Sequence, residues 1–175
     1  MNLQNGEYII RCNLADLSSL WFISGPTPND QTGQSHAIAR SITRVGGGER
    51  IKERNLPDEC FVRVINLNDG NGTISLRQSA TNRHAAFDYC QTYGRENLNE
   101  PKISFVFDPT GDVPEFRLIV PNGVANGVAI RSVHNNRYVT VDMGLGQPHY
   151  LYPNCELENI SSNGLFRFER RFGYF

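Results

Sequence analysis

No stretch of this chain approaches the roughly 18 consecutive apolar residues needed to cross a bilayer. The opening Met1-Asn2-Leu3-Gln4-Asn5-Gly6 has neither the basic region nor the apolar segment of a secretory leader. The expectation is a cytoplasmic or non-classically secreted protein with no membrane insertion. Net charge is also scarce: 17 Lys and Arg stand against 18 Asp and Glu, leaving −1 at pH 7. Without a basic excess there is no overall attraction for phosphate backbones, so no nucleic-acid partner is expected.

Chemistry-bearing motifs are missing in the same way. Cys12, Cys60, Cys90 and Cys155 are far apart, with no C-x-x-C pair and no His at ligand spacing, so no metal site is expected. Each lies at or beside an apolar run, where a free thiol behaves as a small hydrophobe, and reduced cysteines are favoured over disulfides. There is no Gly-x-Ser-x-Gly elbow, no His-Glu-x-x-His and no Gly-x-x-x-x-Gly-Lys loop. Cys90 with His84 or His149 would lack a third, orienting group. No catalytic residue, no cofactor and no enzyme activity are expected. Helical periodicity is absent too, and Leu14 to Leu20 could form a single turn at most.

What the chain does have is repetition. Phe116-Arg117-Leu118-Ile119-Val120 passes through Asn122-Gly123 into Val128 to Val133. Phe61-Val62-Arg63-Val64-Ile65 passes likewise through Asp69-Gly70-Asn71-Gly72 into Thr73 to Arg77. Leu165 to Arg170 supplies the first half of a third copy and Asn5 to Arg11 the second half, so the two ends complete each other. Phe61, Phe116 and Phe166 are 55 and 50 residues apart, a period that signals internal repeats.

Short β-favouring runs bounded by Gly, Pro and Asn fill each copy. They predict strands at Tyr8–Cys12, Leu20–Ser24, His36–Val45, Cys60–Leu67, Thr73–Arg77, His84–Tyr89, Ile103–Phe107, Phe116–Val120, Val128–Val133, Arg137–Asp142, His149–Tyr152 and Leu165–Arg170. A lone four-stranded unit of this size is marginal, so the copies must share a core. A six-stranded barrel closed by three hairpins does this and removes exposed edges.

The Gly-x-Tyr-x-Ile of the first strand, Arg137-Tyr138-Val139-Thr140-Val141-Asp142, and the three Phe positions resemble the β-trefoil superfamily. The resemblance implies an all-β chain of twelve strands in three four-strand repeats, at approximately 1–68, 69–121 and 122–175. Tyr8, Phe61, Phe87, Phe116, Tyr138 and Phe166 are expected in its core, and Trp21 is expected to be core in preference to an exposed platform.

Function then falls to the loops of a rigid frame. In the third copy, His134, Asn135, Asn136, Asp142, His149 and Tyr150 bring amides and a carboxylate near aromatics, the chemistry that holds sugar hydroxyls and C–H faces. The second copy offers Asp88, Tyr89 and Tyr93. Ricin-type lectins share this fold but carry Gln-x-Trp in each repeat, which this chain lacks. Length and opening residues are similar to small mushroom trefoil proteins, which include lectins and protease inhibitors. The segment Val128 to Asp142 resembles a fascin-like repeat. The order of expectation is a lectin for glycans or glycoproteins, then a protease inhibitor, then a cytoskeletal binding module. Inhibition would work through loops 45–50 or 79–83, with Gly46, Gly47, Gly48, Asn82 and Arg83 presented to the protease.

Overall fold

A computed structural model describes residues 3–12, 19–24, 35–41, 56, 58–79, 84–88, 102–106, 115–124, 127–141 and 149–171. In chain order the strands are β1 Gly6–Cys12, β2 Ser19–Ser24, β3 Ser35–Ser41, β4 Phe61–Asn66, β5 Thr73–Gln78 and β6 His84–Asp88. They continue as β7 Lys102–Val106, β8 Phe116–Ile119, β9 Ala129–Ser132, β10 Tyr138–Val141, β11 His149–Cys155 and β12 Phe166–Arg170. Three short 3-10 turns, at Asp58–Cys60, Leu157–Asn159 and Ser162–Gly164, are the only helical pieces among the described residues.

The strand pairings form a ring. β1 pairs β4, β4 pairs β5, β5 pairs β8 and β8 pairs β9, all antiparallel. Val128, just ahead of β9, bridges Phe166 of β12, and β12 returns to pair β1. The remaining strands form hairpins, β2 with β3, β6 with β7 and β10 with β11. β3 contacts both other hairpins through β7 and β11.

Alternation along the ring strands fills its interior. Tyr8, Ile10, Val62, Val64, Ile74, Leu76, Phe116, Leu118, Val128, Ile130 and Phe166 form one buried cluster. The cross-strand partners recur in register. Val62 faces Gln78, Phe116 faces Ser132 and Cys12 faces Phe166. One layer further in, Val64 faces Leu76, Leu118 faces Ile130 and Ile10 faces Phe168. At the junctions between these hairpins of the ring, Tyr8 meets Val62, Ile74 meets Phe116 and Val128 meets Phe166.

These registers correct one expected equivalence. Val62, and not Phe61, holds the place of Phe116 and Phe166, because adjacent strand residues face opposite ways. Phe61 is 4 % exposed on the other face, where the Arg171 guanidinium carbon lies 3.9 Å from its ring centroid. Val62, like Phe116 and Phe166, is the residue that precedes an Arg, whereas Phe61 precedes Val62. Tyr8, Phe116, Tyr138 and Phe166 are buried as expected. The side chains of Phe87 and Trp21 lie outside the described set. Cys12 and Cys60 are buried free thiols, and Cys155 is a half-buried one.

Turn chemistry fixes the β4–β5 register. Asp69 Oδ1 accepts from the backbone N–H groups of Asn71 at 2.9 Å and Thr73 at 3.3 Å, and Gly70 and Gly72 take φ of 75° and 68°. Hydrogen bonds from the Thr73 side chain and from the Asn71 backbone hold the Asp69 carboxyl down at about 2, against an ordinary 3.8.

Phe116→Ala should cost about 3–5 kcal/mol of stability, read as a lowered urea midpoint, because a fully buried ring leaves a cavity; a loss below about 1 kcal/mol would contradict its place in the core. Since the folded pKa of Asp69 is depressed, its contribution is complete above pH 3.8 and disappears as pH falls through about 2. Asp69→Asn should flatten that part of the stability-versus-pH curve, and a carboxyl titrating near 4 by NMR would refute the turn geometry.

Candidate functional site

The third hairpin and the segment after it build a polar surface. The link from β9 to β10 is a tight turn, with the Ser132 N–H donating to Arg137 O at 2.8 Å and the Asn136 N–H to Ser132 O at 3.1 Å. Asn136 takes a left-handed φ of 62°, which Asn tolerates well. Asn135 braces the turn twice: its Oδ1 accepts from the Arg137 N–H at 3.0 Å and its Nδ2 donates to Pro153 O at 2.8 Å.

The β10–β11 ladder is irregular at this point. Tyr138 faces Cys155 and Val139 faces Pro153, so Asn154 is the extra residue of a bulge. Its side chain turns to Thr140, whose Oγ1 donates to Asn154 Oδ1 at 2.8 Å. The chain from Glu156 to Leu165 then folds back over β10. Gly164 makes this close approach possible, since a Cβ there would meet Ile160 Cγ2 at 3.2 Å and Thr140 Cγ2 at 3.3 Å. Asn163 Nδ2 donates to Val141 O at 3.2 Å, and Ser161 Oγ hydrogen-bonds Asn163 Oδ1.

Two open depressions result. One, of about 510 Å³, is lined by Thr140, Asn154, Cys155, Asn159, Ser161 and Asn163, with Arg137 and Glu156 along one side. The other, of about 560 Å³, lies across Arg137 and Glu156 and is lined by Arg131, Asn135, Asn136, Tyr138, Leu157 and Glu158. Both volumes fall within the ~300–1,000 Å³ usual for small-ligand sites.

The shared boundary is an ion pair, Arg137 Nη1 with Glu156 Oε1. The two side chains are 43 % and 50 % exposed, so water screens the pair and it orients the groups more than it stabilises the fold. A side-chain hydrogen bond shared with Glu158, then the one donated by the Arg137 guanidinium, holds the Glu156 carboxyl below the usual range. Burial, followed by the charges of Glu156 and Glu158, pushes the Cys155 thiol up. That environment suppresses the thiolate a nucleophile would need. Among the described residues no group of His, Cys, Asp and Glu is arranged to hold a metal ion.

The residues anticipated for sugar contact are divided by this geometry. His134 and Asn136 are exposed in the β9–β10 turn, beside the second depression's Asn135. His149 and Tyr150 stand at the other end of β11, paired with Ala39 and Ile38 of β3. Six strand residues from Cys155 amount to about 20 Å, so the two groups do not meet. Asp88 ends β6 opposite Lys102 of β7. Asp142, Tyr89, Tyr93, Gly46, Gly47, Gly48, Asn82 and Arg83 lie outside the described residues.

Thr140, Asn154, Glu156, Asn159, Ser161 and Asn163 were not anticipated. Two signals could have found them: Pro153 within a strand, which marks a bulge or edge, and the amide-rich run from Asn154 to Asn163 between two strands.

No protein-family model matches the chain, and no curated protein matches it in sequence. Solved structures do match, and they show a β-trefoil fold. The Rhizoctonia solani agglutinin superimposes with a TM-score of 0.63 at 10% identity, over 98% of this chain and 99% of that one. The designed three-fold symmetric protein ThreeFoil gives 0.61 at 13%, over 93% and 97%. The Polyporus squamosus lectin, solved bound to the human-type influenza-binding epitope Neu5Acα2-6Galβ1-4GlcNAc, gives 0.60 at 13%, over 97% of this chain and 50% of its own.

Asn135→Ala removes two hydrogen bonds from a partly buried turn and leaves Pro153 O without its partner, so thermal or urea unfolding should show a loss of about 1–3 kcal/mol. An unchanged midpoint would mean that Asn135 is free for ligand and does not brace the turn.

Proposed function

We propose that the chain is a non-enzymatic, lectin-like carbohydrate-binding protein that takes glycans or glycoproteins at the end of its third repeat. The observation that carries this reading is the convergence of neutral amide and hydroxyl groups, Thr140, Asn154, Asn159, Ser161 and Asn163, on one open depression. Paired amide and hydroxyl groups donate and accept at once, as sugar hydroxyls do. The open, wet surface suits a ligand that keeps part of its hydration. The agglutinin and the sialoglycan-bound lectin among the trefoil neighbours support the same class of ligand.

This reading includes the finer architecture, three four-strand repeats at about 1–68, 69–121 and 122–175. A second site of the same kind, around Asp88, Tyr89 and Tyr93, belongs with it. In the third repeat it replaces His149 and Tyr150 with Asn154, Asn159 and Asn163, since the former stand at the far end of β11. The loops on which protease inhibition would depend fall almost wholly outside the described residues, and no observation favours that alternative.

A glycan array should return defined hits for the wild-type chain, and Asn154→Ala should weaken them by about tenfold or more while circular dichroism stays unchanged, tenfold being about 1.4 kcal/mol. An array with no hits from folded protein would sink the carbohydrate reading.

A further inference from the structure

The two depressions share Arg137 and Glu156 and differ in everything else that lines them. On the amide side the groups are small and uncharged, and Asn154 Nδ2 has no partner among the described residues while its Oδ1 is held by Thr140. Across the ion pair the surface changes character. Leu157, 46 % exposed, offers an apolar face, flanked by the charges of Arg131 and Glu158.

A single sugar ring needs only one such surface. A boundary made of a screened surface ion pair is adjustable, because exposed pairs are worth only about 0–1 kcal/mol. It divides the surface without closing either half. Each half is by itself within the size range of a small-ligand site.

Resting on the carbohydrate reading above, we propose that the two depressions are adjoining subsites of one groove for an oligosaccharide. The amide side takes the primary sugar through its hydroxyls. The neighbouring unit crosses the Arg137–Glu156 pair and lays a C–H face on Leu157. Linking two contacts in one ligand makes the second nearly intramolecular, so affinity rises with chain length.

The test uses the full chain and nested series of one to four units: N-acetylglucosamine oligomers, glucose and mannose oligomers, and galactose extended to lactose and sialyllactose. Binding is measured by titration calorimetry, with thermal unfolding as the control for folding. In at least one series, affinity should rise about tenfold or more from one unit to two. Leu157→Asp, on an exposed turn, should remove that gain and leave the single sugar unchanged, whereas Asn154→Ala should weaken both. Equal affinity for one unit and two, or a length gain that survives Leu157→Asp, would overturn the subsite inference while sugar binding stands. No binding in any series together with an empty glycan array would overturn the carbohydrate reading itself.

Discussion

Closure of the strand ring is the constraint on which the other features rest. A ring strand left without its neighbour would present an open row of N–H and C=O groups and one side of a cavity. Here that gap is spanned by the β1–β12 pairing and by the reciprocal bond between Val128 and Phe166, at 2.8 Å in each direction. Gly127, at φ 138°, turns the chain into that bridge, with Leu165 Cβ 3.4 Å from where a side chain would begin. Once the ring is closed, alternation alone delivers Phe116, Phe166, Ile10, Ile74, Leu76 and Ile130 to the interior.

The polar surface of the third hairpin is a by-product of departures from that regularity. A bulge frees Asn154 from the ladder, and a glycine lets the segment before β12 lie down on Thr140. The ring tolerates both because neither involves its own pairings. Rigid strands thus hold groups whose spacing is decided by one inserted residue and one missing side chain.

This division explains what could be read from the residues. The strands and the meeting of the chain's two ends were legible because period-two alternation and Gly-rich punctuation are properties of the sequence itself. The facing of Phe61 was not, because residue type says nothing about which side of a strand a ring occupies, and one position reverses it. His149 and Tyr150 look close to His134 and Asn136 in sequence, but an extended strand carries side chains away at about 3.3 Å per residue. The part played by Asn154 depends on a bulge, which only Pro153 hinted at.

The bonds around β1 and β12 also bear on how the chain reaches this state. Arg170 Nη1 donates to Gln4 Oε1 at 2.8 Å across 166 positions, and Arg171 reaches both Glu7 and Asp58. Such distant partners meet only after the whole intervening chain has been made, and pairing of this kind folds slowly. On a ribosome, β1 would emerge first and wait longest, with one edge unpaired until β12 arrived. The interval between those two events is when newly made chains are most exposed to association with one another.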